Sequence, residues 1–143
     1  MLDHPLVSPV VAQSWVGSPP MWMAVGGGER LADGPKFLAQ NAAGQGVTVV
    51  WEEYEAMPHL WPLLFKSWPQ NQRCWEGWSR ACSQFANGVS VAAKGQNTEV
   101  ESLRSYHFDV LNLTPLSMHD IQRCLRDHRK TIEPFKGSKK AML

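Results

Sequence analysis

The chain has 143 residues, and its 14 lysines and arginines against 13 aspartates and glutamates give a formal net charge of +1. This length fits one domain or part of a larger one, and the balanced charge excludes the strongly basic composition that favours a nucleic-acid partner. The three cysteines have no CxxC spacing, which argues against a disulfide framework or a zinc finger, and no stretch approaches the roughly 18 apolar residues of a membrane span. We therefore expect no nucleic-acid partner and no membrane span. The localisation stays open, although the odd cysteine count favours a reducing compartment such as the cytoplasm.

The first 51 residues predict a strand, a helix and a second strand behind an irregular connector, residues 1–19, which is rich in proline and serine. Residues 20–25 form an unbroken apolar run closed by three glycines, as expected for a strand buried on both faces of a parallel sheet. Asp33 is the predicted N-cap of a helix over residues 36–43, and residues 47–51 are rich in β-branched side chains. A strand–helix–strand unit of this kind makes the two strands parallel. Their C-terminal ends then lie at the same edge of the sheet, where the functional sites of α/β proteins usually lie.

The middle of the chain predicts two helices, over residues 60–68 and 70–85, and the second of these ends at Asn87-Gly88. Residues 89–93 and 99–103 predict a pair of short strands.

Near the C-terminus, an amphipathic helix is predicted over residues 117–133, where Ser117 and Asp120 resemble a capping box. Beyond it we expect a solvated tail that carries Lys136, Lys139 and Lys140. The simplest division is a connector (1–19), an α/β segment (20–87) and a C-terminal extension (88–143).

Two clusters of side chains have a structural interpretation. Five tryptophans within 28 positions are expected to pack in a core or beneath a cap, with a stacking surface for a sugar or base as the alternative. They are Trp51, Trp61, Trp68, Trp75 and Trp78. His119, Cys124 and His128 lie on or near one face of the last predicted helix, but their spacing is not that of a typical metal site, and we expect neither a metal nor another cofactor.

Three further stretches together resemble the C-terminal part of the hormone-sensitive-lipase-like branch of the α/β-hydrolase fold. They are residues 4–9 (HPLVSP) before the first strand, residues 28–33 (GERLAD) after it, and residues 57–59 (MPH) after the second strand. The resemblance covers about residues 3–87. It implies an α/β architecture with parallel strands, flanking helices and an incomplete sheet.

In that family the second stretch carries the acid of a catalytic triad and the third carries its histidine, which the resemblance transfers to Glu29 and His59. A carboxylate that leaves the end of a neighbouring strand is well placed to hold a histidine in its productive tautomer. Asp33 is the alternative acid, although its place before Gly-Pro suits helix capping better. The alternative to a catalytic role is that Glu29 is an ordinary exposed loop glutamate and that His59 is a histidine at the start of a helix.

The nucleophile elbow of the family, Gly-x-Ser-x-Gly, is absent from the sequence, and Ser79 lies in an approximation to it in which alanine replaces the second glycine. The His-Gly-Gly-Gly run of the oxyanion hole is absent as well. We therefore expect a C-terminal fragment of a carboxylic-ester hydrolase, inactive alone, whose partner in the full-length fold is an ester substrate. The alternative is a non-catalytic small-molecule-binding or interaction protein derived from the same fold.

A fragment of this kind would expose an apolar strand edge. We expect marginal stability with self-association, or a requirement for the missing N-terminal half. Met57, Leu60 and Trp61 are the expected lining of a substrate pocket.

Overall fold

The computed structural model describes residues 4–131, and the chain forms one open, four-stranded sheet. The strands, listed in their order across the sheet, are β1 (Met21–Gly26), β2 (Val49–Tyr54), β3 (Lys94–Thr98) and β4 (Ser105–Phe108). The first three run parallel, and β4 is antiparallel to β3. The predicted α/β class, with parallel strands and flanking helices, is confirmed.

Helices cover both faces of the sheet, the usual arrangement for parallel strands. α1 (Asp33–Gly44) packs on one face, while α2 (Trp61–Leu64) and α3 (Pro69–Ala86) pack on the other. Successive strand residues point to opposite faces, so β1 contributes to two cores. Its odd-numbered residues pack with α1, and Trp22 and Ala24 pack on the side of α2 and α3.

The predicted helix ends are confirmed in three places. Gly46 and Gly88 follow α1 and α3 with φ values of 86° and 63°, a left-handed backbone that glycine adopts without steric cost. α4 (Met118–Thr131) begins with the predicted capping box, in which the Asp120 N–H donates to Ser117 Oγ (3.2 Å) and the Ser117 N–H donates to the Asp120 carboxylate (3.0 Å). The lysine tail lies outside the described residues. Within residues 4–131, no helix is long and apolar enough to cross a membrane.

Two boundaries in the first half of the chain were predicted wrongly. β2 does not end where the acidic residues begin, because Glu52 is buried against Gly77 of α3 and Glu53 forms an ion pair with Lys36 of α1 (2.9 Å). The helix expected over residues 60–68 is the single turn α2. After the turn, the Asn71 side-chain amide donates to the carbonyls of Pro62 and Phe65 (2.8 and 3.1 Å), which satisfies acceptors left open at the end of α2.

The predicted strand pair at residues 89–93 and 99–103 is also wrong in position, since the strands are β3 and β4. β3 has the sequence KGQNT, which lacks the apolar pattern of a buried strand. It pairs with β4 around Gly95, where an added Cβ would lie 2.4 Å from the ring of Phe108. The glycine therefore makes room for the aromatic ring that covers it. Residues 94–108 extend the same sheet as β1 and β2, and the three-segment division remains a prediction.

Candidate active site

The loop after β1 carries Glu29 and is held against the loop after β2. The Gly27 N–H donates to the Tyr54 carbonyl (2.7 Å), and the Gly28 N–H donates to the Met57 carbonyl (3.0 Å). The Glu29 N–H closes a turn onto the Gly26 carbonyl (3.1 Å). These bonds fix the backbone of Glu29 relative to the segment that leads to His59.

Close approach of the two loops explains the three consecutive glycines. A Cβ added to Gly26 would lie 2.1 Å from the Met57 carbonyl oxygen, and one added to Gly28 would lie 2.9 Å from that of Ala56. The structure gives neither glycine a positive φ, so the requirement is for space and not for an unusual backbone conformation. Any side chain at Gly26 would push the histidine loop away from the acid loop.

The histidine loop turns sharply on both sides of residues 57–59. Ala56 and Leu60 adopt left-handed backbone conformations, with φ values of 57° and 58°, which are uncommon for residues that have a Cβ. Leu60 is also the residue that precedes α2, and the buried side chains of Met57 and Trp61 anchor the loop on either side of His59. The imidazole is thus presented from a constrained turn.

The structure brings Glu29 and His59 together. His59 Nδ1 lies 3.3 Å from Glu29 Oε2, although 30 positions separate the two residues in sequence. The Glu29 side chain is 8% exposed, whereas that of His59 is 58% exposed. The carboxylate is therefore sheltered while the ring is open to solvent on its other side.

This arrangement determines what the ring can do. An ionised carboxylate only accepts hydrogen bonds, so the proton of the neutral ring lies on Nδ1 and the lone pair is on Nε2. A histidine held in this tautomer can take a proton at Nε2 and return it, while the carboxylate stabilises the charged ring. The pair has the geometry of a general acid–base unit.

An apolar groove of about 570 Å³ lies beside the pair. β1, α2 and α3 form most of its lining, with Glu29 and His59 at one end. The rings of Trp75 and Trp78 contact each other edge to face (5.3 Å between centroids) and remain nearly half exposed. Of the three residues expected to line a substrate pocket, Leu60 and Trp61 line this groove, whereas Met57 is buried in the core beneath the loop.

Cys74 also lines the groove, but it is a poor nucleophile. Burial, and secondarily the nearby Glu52 carboxylate, raise the pKa of its thiol to about 12. The reactive form of cysteine is the thiolate, so Cys74 stays protonated and inert near neutral pH.

The pKa of the Tyr54 hydroxyl is also raised. The causes are its burial and the hydrogen bond that it donates to Glu52 (2.9 Å). This buried group packs against Trp61 and supports α2.

Within residues 4–131, no serine lines the groove. Ser79 is exposed on α3 and borders a different, polar hollow. Asp33, the alternative acid, is exposed in the first turn of α1. The prediction that it is the N-cap is wrong, because Ala32 is the N-cap residue of this helix. His119, Cys124 and His128 lie on α4, and the described part of the chain contains no group of three or more potential metal ligands.

Sequence reasoning missed the features that hold the pair in place. The three glycines close the apolar run of β1, and their position directly before a candidate acid is also a signal of close backbone approach. No sequence signal marks the left-handed conformations of Ala56 and Leu60.

Comparison with known proteins supports the fold. Residues 1–63 match the family model for the alpha/beta hydrolase fold, and the matched segment contains β1, α1, β2, Glu29 and His59. No curated protein and no solved structure matches the chain. The open, mostly parallel sheet with flanking helices fits part of an α/β hydrolase fold.

Proposed function

We propose that Glu29 and His59 are the acid and the general base of a serine-type carboxylic-ester hydrolase of the hormone-sensitive-lipase-like branch, and that the serine and the oxyanion-hole donors come from polypeptide outside residues 1–143. The contact of 3.3 Å between His59 Nδ1 and the sheltered carboxylate carries this proposal. The family match over the segment that contains both residues supports it.

In this mechanism, Nε2 of His59 takes the proton of the serine hydroxyl as the hydroxyl oxygen attacks the ester carbonyl. The same nitrogen then returns the proton to the departing alcohol. Glu29 does not change its own protonation; it orients the ring and stabilises the positive charge that the ring gains. Hydrolysis of the acyl-enzyme repeats the exchange with water in place of the alcohol.

Residues 1–143 alone should not form an acyl-enzyme. The sequence contains no Gly-x-Ser-x-Gly, and the one thiol in the groove is held protonated. In a serine protease, loss of the nucleophile alone lowers kcat by about 10⁶-fold.

The apolar groove beside His59 supports an ester with an apolar acyl or alcohol group as the substrate class.

The test is the hydrolysis of p-nitrophenyl butyrate by residues 1–143 and by the same chain extended upstream in its reading frame. We expect the longer polypeptide to be active, and His59→Ala to lower its kcat by about 10⁴-fold or more. His107→Ala is the matched control, since His107 is an exposed histidine on β4, and it should leave the rate unchanged. Hydrolysis by residues 1–143 with fluorophosphonate labelling of one of their own serines would contradict the proposal.

A second candidate is a non-catalytic protein that binds an apolar small molecule. The groove favours it, because among the described residues no serine lines it and the thiol of Cys74 is held protonated. The longer polypeptide distinguishes the two functions: saturable binding of p-nitrophenyl butyrate without turnover would support the binding protein.

A further inference from the structure

A second hollow, of about 330 Å³, lies between α3 and the sheet. Among the described residues, it shares no lining residue with the apolar groove. Glu52 of β2 and Gln96 of β3, which are partners in the register of the two strands, line it from the sheet. α3 contributes four polar or charged side chains, those of Gln72, Arg73, Glu76 and Arg80. The hollow therefore suits a polar ligand, unlike the groove.

The carboxylate of Glu52 is buried without an ion pair. Glu52 is 5% exposed, and no described cationic side chain forms a salt bridge with it. Its Oε2 accepts from the Tyr54 hydroxyl (2.9 Å), whereas its Oε1 accepts from no described group. Oε1 keeps access to solvent, unlike the unpaired side-chain oxygens of Gln70 and Asn71, which are enclosed. Because a buried charge is costly unless it is paired and hydrogen-bonded, Oε1 is an acceptor available to a ligand in the hollow.

Gly77 of α3 makes room for this carboxylate. A Cβ added to Gly77 would lie 2.6 Å from each of the two carboxylate oxygens. Glycine is unfavourable inside a helix, and a carboxylate is unfavourable in a core. The chain thus departs from two rules of stability at one place, which is typical of a functional site.

The wall of the hollow carries positive charge on α3. Arg73 and Arg80 lie about two helical turns apart, and Arg73 donates to the Leu103 carbonyl (2.6 Å). Arg80 is exposed and forms no hydrogen bond or ion pair with any other described residue, so its guanidinium is available to a ligand. Two carboxylates and two guanidinium groups leave the lining with no net charge. Such a lining favours a ligand that carries both charges over a simple cation or anion.

We propose that this hollow binds a small zwitterion of the amino-acid class, with its ammonium group on Oε1 of Glu52 and its carboxylate on the guanidinium of Arg80. An ammonium group has three donors, so one remains for the side-chain carbonyl of Gln96. Arginine binds carboxylates through two parallel hydrogen bonds, a strong and specific contact. The site is separate from Glu29 and His59 and does not rest on the proposed function.

The test is a titration of isotope-labelled residues 1–143 with β-alanine, followed through the amide signals in two-dimensional NMR spectra. We expect the signals of Gly77 and Gln96 to shift and saturate with a dissociation constant of about 1 mM, while that of Glu29 stays unchanged. Propylamine and propionate each keep one of the two charges, so both should bind at least about tenfold more weakly. Equal binding of either compound, or no saturable shift with β-alanine well above this concentration, would overturn the proposal.

Three variants locate the site. Glu52→Gln keeps the shape of the side chain and an acceptor for Tyr54 but removes the charge, and it should weaken β-alanine binding at least about tenfold. Glu53→Gln is the matched control, since the next residue of β2 is paired with Lys36 of α1, and it should leave the affinity unchanged. If Glu52→Gln does not fold, the exposed Arg80→Gln should weaken β-alanine binding by a similar factor and leave that of propylamine unchanged. Unaltered affinity for β-alanine in Glu52→Gln or in Arg80→Gln would refute the assignment.

Discussion

Substitution of Gly26 by alanine should separate the two loops that carry the candidate acid and base. The new Cβ would lie 2.1 Å from the Met57 carbonyl oxygen, 2.7 Å from its carbonyl carbon and 2.9 Å from the Pro58 carbonyl oxygen. All three are backbone atoms, so no rotamer change relieves the clash, and the histidine loop must move by about 1 Å or more to reach ordinary contact distance. Overpacking of this kind typically costs about 1–3 kcal/mol. We expect the upper end of that range, because the movement also strains the bond from the Gly28 N–H to the Met57 carbonyl.

The assay is urea unfolding followed by tryptophan fluorescence, with the free energy of unfolding obtained by linear extrapolation. Gly34→Ala is the matched control, since Gly34 lies in the first turn of α1 and an added Cβ there has no atom within 4 Å. Alanine at such a position should leave stability unchanged or raise it by up to about 1 kcal/mol. If Gly26→Ala proves as stable as Gly34→Ala, the two loops do not approach each other as described and the positioning of His59 by Glu29 loses its basis.

Three further predictions concern the rest of the structure. A thiol reagent should modify the exposed Cys82 and Cys124 rapidly in the native protein and Cys74 only on unfolding; immediate modification of all three would contradict the buried site. Because burial raises the pKa values of Cys74 (from 9.0 to about 12) and of Tyr54, the folded state keeps protons that the unfolded state releases. The free energy of unfolding should therefore fall as the pH rises from about 9 towards 12, less steeply in Tyr54→Phe; equal slopes would be inconsistent with this cause. Ser117→Ala should lower helix stability by about 1 kcal/mol through loss of the α4 cap, measured by circular dichroism on heating, whereas Ser90→Ala should have no effect.

The sequence predicted several elements along the chain because their local signals agree with their tertiary environment. The apolar run of β1 packs against a core on each face of the sheet, the glycines that end α1 and α3 adopt the backbone that glycine favours, and the capping box of α4 forms. The resemblance to the α/β-hydrolase fold suggested Glu29 and His59 as partners, and the structure places them in contact where parallel neighbouring strands bring their C-terminal ends together.

The sequence could not predict the elements that depend on distant contacts. β3 is polar and becomes a strand through its pairing with β2 and β4, and Gly95 has its role only because Phe108 lies over it. Glu52 continues β2 although it is acidic, because Gly77 on α3 leaves room for its carboxylate and the Tyr54 hydroxyl donates to it. In each case, the partner lies far along the chain and carries no local signature.

The most direct test of the central claim compares two glutamate variants in the upstream-extended polypeptide. Glu29→Gln removes the charge beside His59, while Glu53→Gln removes a similarly placed charge on the neighbouring β2 that is paired with Lys36. We expect Glu29→Gln to lower kcat for p-nitrophenyl butyrate by about 10⁴-fold with little change in KM, as loss of the orienting acid does in a serine protease, and Glu53→Gln to retain kcat within about twofold. Full activity of Glu29→Gln would contradict the assignment of Glu29 as the acid that orients His59.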